Sequence, residues 1–232
     1  MGMRVAALYD VHGNLPALEA VLADLPSNVD AIVFGGDLVW GPWPRECLAL
    51  AESLGDPARF VRGNCETLVL VGSGEHAWAR NQLDDDQLRR VAAWPATLTL
   101  DVDGLGTTLF CHATPRSEDE ILFAESPVAR WADAVGGVVE RTVVCGHTHL
   151  QYDRELCGHR VINPGSVGAP TVRPVAWWAL LGPEVELRTT SYDTEGTIEA
   201  AAAFVPDVSA FARWLRETPS SEERIAALGG AA

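Results

Sequence analysis

The first 66 residues repeat one pattern three times, and this pattern constrains the fold more than any other feature of the chain. Each repeat is a short apolar run that ends in a polar, glycine-containing loop, and the runs cover residues 3–9, 31–34 and 59–62. Apolar residues at helical spacing follow the first loop over 15–25, and a second helix is predicted near 45–54. Strand–loop–helix repetition predicts an α/β fold with a parallel sheet.

The remaining elements extend this pattern over the whole chain. Residues 67–94 read as helical, and Asp84-Asp85-Asp86 suits the first turn of a helix. Short helices are also predicted at 118–123, 127–135, 194–204 and 208–217, the last two with Thr194 and Asp207 as N-caps. Strands are predicted at 97–102, 107–111, 142–145, 151–156, 160–162, 175–181 and 185–190. Without a linker or internal repeat, we expect one domain over 1–232, with 218–232 as a flexible or helical tail.

Composition excludes several classes of protein. The net charge is −15, and all 17 basic residues are arginines that form no basic stripe, which argues against nucleic-acid binding. No apolar run is long enough to cross a bilayer, and the N-terminus carries no signal-peptide pattern, so we expect a cytoplasmic protein without a membrane role. The five cysteines show no Cys-x-x-Cys spacing and predict neither a disulfide framework nor a zinc knuckle.

Ligand-type side chains follow five of the predicted strands. They are Asp10, His12, Asp37, Asn64, His112, His147 and His149. In open α/β sheets the carboxyl ends of the strands form the usual ligand-binding edge. His147 and His149 lie two residues apart, so in extended chain both imidazoles point the same way. Seven such ligands are too many for one structural zinc and suit two divalent ions that share a carboxylate.

Each short motif also has a plainer explanation. Asp-x-His or Gly-Asp alone is more often a loop or a helix cap, and the order and spacing of all five motifs together favour a metal site. His76 and His159 do not follow strands, and we expect them at the surface. Trp40 and Trp43 either wall the site or, as packing favours, anchor their loop on the core.

Five motifs together carry a resemblance to a known family. They are Asp10-Val11-His12, Gly36-Asp37, Gly63-Asn64-Cys65-Glu66, His112 and Gly146-His147-Thr148-His149. In this order they resemble the calcineurin-like metallophosphoesterase superfamily. The loop at 163–168 and the strand at 175–181 are also similar to its small bacterial and archaeal phosphodiesterase branch.

The resemblance implies a four-layer α/β/β/α sandwich of two mixed sheets flanked by helices. It also implies a division of the metal ligands, in which Asp10, His12 and His149 hold one ion and Asn64, His112 and His147 hold the other. Asp37 would bridge the two ions. The family uses manganese, iron, zinc or nickel, and mixed nitrogen and oxygen ligands do not choose among them.

The function implied is hydrolysis of a small phosphodiester or phosphoanhydride, such as a nucleotide, by a hydroxide that bridges two divalent ions. Two alternatives stay open at this point. One is a phosphomonoesterase or protein phosphatase, and the other is a catalytically dormant scaffold that keeps the fold. The completeness of the ligand set argues against the scaffold, and the sequence does not predict the oligomeric state.

Substrate-binding and acid residues are less clearly marked. Cys65 occupies the position after the ligand asparagine where many family members carry an acid histidine, but a thiol donates hydrogen bonds weakly and packing explains it better. Arg116 is a candidate for contacting a phosphate oxygen, with Arg173 as a second candidate. Asn14 matches a substrate-contacting position in relatives and also suits the N-cap of the first helix.

Overall fold

Two mixed β-sheets form the centre of the computed structural model, which describes residues 2–229. The strands are β1 (Val5–Leu8), β2 (Ala31–Phe34), β3 (Ala58–Phe60), β4 (Thr97–Val102), β5 (Gly106–Cys111), β6 (Thr142–Val144), β7 (Tyr152–Leu156), β8 (His159–Asn163), β9 (Ala176–Leu181) and β10 (Val185–Thr190). The helices are α1 (Leu15–Asp24), α2 (Pro44–Ser53), α3 (Asn64–Val71), α4 (Ala77–Gln82), α5 (Asp85–Ala92), α6 (Val128–Val135), α7 (Thr194–Phe204), α8 (Ser209–Arg216) and α9 (Ser221–Ala227).

Strand order places the parallel strands together in each sheet. The first sheet runs β10-β9-β1-β2-β3, and β1, β2 and β3 are parallel, with Val5 opposite Ala31. The second sheet runs β4-β5-β6-β8-β7, and β5, β6 and β8 are parallel, with Val143 opposite Val161. The carboxyl ends of six parallel strands are therefore available to carry functional loops.

Strand β1 shows why the molecule has a layer on each side of the first sheet. Its side chains are all buried, but they alternate between two apolar cores. Val5 and Ala7 pack against the second sheet, in the same core as Val144. Ala6 and Leu8 pack on the opposite face, in the core that the helices cover. Because both faces of β1 are buried, its sequence is a continuous apolar run rather than an alternation of apolar and polar residues.

The second sheet is covered on its outer face by α6. Val143 and Cys145 pack there against Trp131, while Val144 points into the core between the sheets. The layers are thus helix, sheet, sheet and helix, and the predicted four-layer α/β/β/α sandwich of two mixed sheets is confirmed.

Several predicted elements differ from the structure. The helical stretch 67–94 is broken into α3, a 3₁₀ turn at Gly74–His76, α4 and α5. No helix forms at 118–123, because the Ser117 hydroxyl bonds the side chain and backbone N–H of Asp119 and holds a turn instead. The N-cap of α7 is Asp193, not Thr194, and its carboxylate accepts the N–H of Gly196. The N-cap of α8 is Val208, although Asp207 accepts the N–H of Ser209.

The end of the chain is ordered as helix α9 up to Ala227. Ser220 and Glu223 form its capping box. The predicted single domain also included Met1 and residues 230–232, which lie outside the described residues. Across residues 2–229, no helix combines the length and apolarity needed to cross a membrane.

Candidate metal centre

The structure brings all seven predicted ligands to one place, where the carboxyl ends of β1, β2, β5 and β6 meet. Asp10 and His12 follow β1, Asp37 follows β2, His112 follows β5, and His147 and His149 follow β6. Asn64 is the first residue of α3, after β3. Asp10, His12, Asp37, His112 and His149 are buried, whereas Asn64 and His147 are partly exposed. The site therefore opens to solvent on the side of Asn64 and His147.

Asp10, His12 and His149 form a first group of ligand atoms. The Nε2 atoms of the two histidines are 3.0 Å apart, and Asp10 Oδ1 lies 3.4 Å from Nε2 of His149 and 3.8 Å from Nε2 of His12. Two ring nitrogens at 3.0 Å need a proton or a cation between them. All three ligand atoms lie within 4.8 Å of one another, as a single metal ion requires.

Asn64, His112 and His147 gather on the other side of Asp37. Nε2 of His112 lies 3.0 Å from Asn64 Oδ1 and 3.4 Å from Asp37 Oδ2. Asp37, His112 and His147 also have ligand atoms within 4.8 Å of one another. Asp37 Oδ2 is 4.0 Å from Nε2 of His12, so this carboxylate stands between the two groups.

Backbone carbonyls fix the orientation of two of the histidine rings. Nδ1 of His112 is 2.9 Å from the carbonyl oxygen of Gly35, and Nδ1 of His149 is 2.9 Å from that of Ala169. Because a carbonyl only accepts, each Nδ1 carries the proton and donates it. Nε2 of each ring therefore presents its lone pair to the centre when the ring is neutral, which is the form that binds metal.

Five of the seven predicted ligands have left-handed backbone conformations, which non-glycine residues rarely adopt. They are Asp10, His12, Asp37, His147 and His149, with φ between 47° and 66°. Such conformations cost about 1–3 kcal/mol each and persist only where surrounding contacts enforce them. A Cβ at Gly146 would lie 2.6 Å from Asp10 Oδ2, so glycine permits this crowding.

The donor set fits divalent metal ions. Oδ1 of Asp10 is buried and has no hydrogen-bond partner among residues 2–229, yet it faces three histidine Nε2 atoms, the third being that of His112 at 3.9 Å. A buried carboxylate oxygen without a partner is costly unless a cation accepts it. Imidazole nitrogens, carboxylates and an amide oxygen are ligands that manganese, iron, zinc and nickel accept.

The protein alone pairs Asp37 with His112. Burial by itself would lower the pKa of His112, but the Asp37 carboxylate outweighs it and raises this pKa to about 10. Burial opposes ionisation of Asp37, but His112 outweighs it and lowers the pKa of that carboxyl. Burial, reinforced by His149, lowers the pKa of His12 to about 3. His12 is therefore neutral, as a metal ligand must be.

Glu66 supports the site, although no role was predicted for it beyond its place in a motif. Its buried carboxylate accepts the backbone N–H groups of Asp37 at 2.7 Å, Leu38 at 2.7 Å, Val39 at 3.1 Å and Gly63 at 2.8 Å. One side chain thus holds the loop that carries Asp37 against the start of α3. Its place in the motif Gly63-Asn64-Cys65-Glu66, two residues after Asn64, was the available signal.

The loop at 163–168 also supports the ligands. Asn163 Nδ2 donates to the carbonyl of Gly146 at 2.9 Å and lies 3.1 Å from Oγ1 of Thr148. The Ser166 hydroxyl donates to the carbonyl of Asp10 at 2.8 Å. These contacts brace the loops of β1 and β6 from a third segment of the chain.

Aromatic side chains line one side of the first ligand group. The ring of Trp40 lies 5.4 Å from that of His12, and the ring of Trp214 lies 5.5 Å from the same histidine. Trp43, in contrast, is buried in the helix-covered core. The expectation that His76 is a surface residue is wrong, because the 3₁₀ turn buries it against Trp40, 5.4 Å from its ring.

Arg224 of α9 was also not identified from the sequence. Its Nε donates to the carbonyl of Thr148 at 3.0 Å, and its Nη2 donates to that of His147 at 3.4 Å. No local pattern marked Arg224 or Trp214, because both reach the site from far along the chain.

The three residues predicted to act on the substrate have different surroundings. Asn14 is buried and caps α1 through the N–H of Ala17, and its amide nitrogen bonds Gly168 and Tyr192. Arg116 pairs with Glu120 through two bonds of 2.9 and 2.6 Å, and it lines a cavity of about 380 Å³ together with Arg62 and Thr114.

Cys65 is buried, and its sulfur shares a group of ligand atoms with His12 and Asp37. Burial, together with the Asp37 carboxylate, raises the pKa of its thiol well above the usual value. The thiol is therefore protonated at neutral pH. Arg173, the second arginine candidate, is exposed and lies 5.2 Å above the ring of Trp177.

Comparison with known proteins agrees with this geometry. The model of the calcineurin-like phosphoesterase superfamily domain matches residues 3–182. The crystal structure of a metallophosphoesterase from Sphaerobacter thermophilus superposes with a TM-score of 0.73 at 27% identity, covering 93% of this chain and 98% of that chain. The match ends before α7, so Trp214 and Arg224 lie outside the region that the family model describes.

Two curated relatives also match in sequence. An uncharacterized protein from Methanocaldococcus jannaschii is 28% identical over 195 residues, which are 72% of this chain and 76% of that protein. A symmetrical bis(5'-nucleosyl)-tetraphosphatase from Psychromonas ingrahamii is 40% identical over 72 residues, which are 29% of this chain and 26% of that protein.

Proposed function

The chain belongs to the calcineurin-like phosphoesterase superfamily, and we propose that it hydrolyses a small phosphodiester or phosphoanhydride of the nucleotide type with two divalent metal ions. The observation that carries this proposal is the unpartnered, buried Oδ1 of Asp10, which faces three histidine nitrogens. The protonated His112, at 3.9 Å, offsets only part of the cost of burying that oxygen, and a divalent ion held by Asp10, His12 and His149 would offset the rest.

The ligand groups support a division between two ions. Asp10, His12 and His149 would hold the first, and Asn64, His112 and His147 the second, with Asp37 between them. The second ion would lie on the side that is open to solvent, where Asn64 and His147 are partly exposed. A phosphate group would therefore reach the second ion first.

Two such ions supply a water of lowered pKa and neutralise the charge on phosphate oxygens. The protein then has to position the substrate and limit competing access of water. The protonated thiol of Cys65 supports a reaction without a covalent protein intermediate. A weakly donating thiol also favours substrates whose leaving group needs little protonation, such as nucleoside phosphates released from an anhydride.

Two features support a nucleotide as the substrate. Trp40 and Trp214 form an aromatic side to the first ligand group, and aromatic rings bind nucleobases without a sequence preference. The partial match to a symmetrical bis(5'-nucleosyl)-tetraphosphatase favours an anhydride between phosphates. Arg116, beside its cavity, remains a proposed contact for the distal part of the substrate. The side-chain amide of Asn14, in contrast, is already hydrogen-bonded within the protein.

Hydrolysis by metal-stripped protein tests the proposal. Manganese, zinc or nickel is added back, and diadenosine tetraphosphate, bis(p-nitrophenyl) phosphate and p-nitrophenyl phosphate are compared. We expect metal-dependent cleavage of the first two, abolished in His147→Ala but kept in His159→Ala, whose histidine bonds Glu140 away from the site. Cleavage of the monoester alone would support a phosphomonoesterase instead. Bound metal without cleavage of any substrate would support a dormant scaffold.

A further inference from the structure

The C-terminal segment from α8 to α9 lies against the metal centre, although the family model ends at residue 182. Helix α8 is packed on the helix-covered core through Phe211, Ala212 and Leu215. This packing places Trp214 with its ring 5.5 Å from that of His12 and 6.4 Å from that of His149. The segment is thus part of the wall of the site.

Helix α9 contributes Arg224, which is held by the loop that carries two metal ligands. Its Nε donates to the carbonyl of Thr148 and its Nη2 to that of His147. The guanidinium therefore stands beside the loop between His147 and His149. These contacts fix the plane of the guanidinium before any substrate arrives.

The remaining donors of Arg224 are free for an anion. Its Nη1 makes no hydrogen bond within residues 2–229, and no carboxylate of this part of the chain lies within ion-pair distance. Arg116 differs, because Glu120 already engages it through two bonds. Other arginines of residues 2–229, such as Arg80 and Arg130, also bond backbone carbonyls without a carboxylate partner, but Arg224 bonds the loop that carries His147 and His149.

The position of this charge is informative. A guanidinium next to a centre that binds divalent cations is repelled by them, unless an anion lies between. A phosphate group fits that requirement, since it bridges metal ions and accepts the parallel N–H groups of arginine. Burial lowers the pKa of Arg224, and the Asp10 and Asp37 carboxylates act in the opposite direction.

We propose that Arg224 binds a non-bridging phosphate oxygen of the substrate, so that the C-terminal segment completes the active site. This assignment rests on the proposed function, because it places the phosphate at the metal centre. It names Arg224, rather than Arg116, as the main phosphate-binding arginine. Its hydrogen bonds to the His147 and Thr148 carbonyls serve to aim the guanidinium.

Binding of inorganic phosphate to the manganese-loaded full-length protein, measured by calorimetry, tests this proposal without relying on turnover. In Arg224→Ala, the dissociation constant for phosphate should rise roughly tenfold to hundredfold, the range expected for one lost charged hydrogen-bond partner. Arg224→Lys should recover part of that loss, because it keeps the charge but not the planar fork. Arg216 is the control, because it lies on α8 and forms only an exposed ion pair with Glu195. Arg216→Ala should bind phosphate as the wild type does.

Manganese binding to the same variants separates phosphate binding from support of the ligand loop. Without phosphate, we expect the manganese affinity of Arg224→Ala to be at least that of the wild type, because the guanidinium repels the ions. Three results would overturn the assignment: unchanged phosphate binding in Arg224→Ala, manganese affinity that falls as far as phosphate affinity, or a wild type that binds no phosphate. A wild type that binds phosphate through Arg224 but hydrolyses no ester would refute the proposed function and leave the assignment intact.

Discussion

The carboxylate of Glu66 accepts the backbone N–H of Asp37 at 2.7 Å, and this bond joins helix α3 to the loop that places the central aspartate. Asp37 has a φ of 55°, in the left-handed region that few non-glycine residues adopt. Three further backbone N–H groups converge on the same carboxylate. The position of Asp37 between the two ligand groups therefore depends on a residue that touches no metal itself.

Replacing Glu66 with glutamine should weaken both the fold and the site. The glutamine side chain has only one accepting oxygen, and its NH2 group would face backbone N–H groups. At least one buried backbone N–H would therefore lose its hydrogen-bond partner. We expect the free energy of unfolding of the metal-free protein to fall by about 1–3 kcal/mol, measured by urea denaturation. Manganese affinity should fall about 10- to 100-fold, as for other residues that position metal ligands.

Glu118→Gln is the matched control for that experiment. Glu118 is only partly buried and pairs with Arg62 through one contact of 3.3 Å, so its loss should change stability by less than about 1 kcal/mol. Wild-type manganese affinity in Glu66→Gln would mean that Asp37 holds its position without this carboxylate.

Asp10→Asn should change stability in opposite directions with and without metal. In the metal-free protein the unpartnered Oδ1 becomes an amide group that can donate to Nε2 of His149, and the unfolding free energy should rise by about 1–3 kcal/mol. With manganese at 1,000 times its dissociation constant, the wild type gains about 4.1 kcal/mol that the variant lacks. Thermal unfolding with manganese and with a chelator measures both differences.

The order of melting temperatures is the informative outcome. We expect Asp10→Asn to melt above the wild type in chelator and below it in manganese. If the variant melts below the wild type under both conditions, Oδ1 of Asp10 has a stabilising partner in the metal-free protein. That result would contradict the assignment of this oxygen as a metal ligand.

Cys65→Ala should leave hydrolysis of an activated diester largely intact. The thiol is protonated at neutral pH, so it is not a nucleophile. We expect kcat to fall by less than about tenfold, well short of the 10²- to 10⁴-fold that a general acid contributes. Steady-state kinetics with bis(p-nitrophenyl) phosphate measures this, with exposed Cys157→Ala as the control.

The manganese affinity of Cys65→Ala completes that test. Sγ of Cys65 lies in one group with His12 and Asp37, so a sulfur ligand would reveal itself as a loss of metal affinity. A kcat loss of 100-fold or more with unchanged metal binding would instead restore Cys65 to the acid position.

The strands and the gathering of polar side chains at their ends were predictable because their signals are local. The apolar run at residues 5–8 predicts a buried strand, and Asp10 and His12, which follow it closely, predict polar side chains at the carboxyl end of that strand. The resemblance then supplied the pairing of two sheets, which no local pattern contains. The helix predicted at 118–123 was wrong because side-chain bonds of Ser117 compete with the helix there.

The missed residues act over long distances in the sequence. Arg224 contacts the carbonyl of a residue 76 positions earlier, and Trp214 reaches His12 from the other end of the chain. Apolar periodicity shows which face of α8 is buried, but it does not show which residues a side chain beside that face, such as Trp214, contacts. Such contacts follow from the packing of the C-terminal helices and become visible only with the fold.

The most direct test of the two-ion phosphoesterase is a manganese titration of the metal-stripped protein in which bound ions and diester hydrolysis are followed together. We predict two ions bound per chain and hydrolysis that appears only as the second site fills. In His147→Ala one ion should bind and hydrolysis should be lost. Full hydrolysis with one ion bound per chain, or in the metal-stripped protein, would contradict the account.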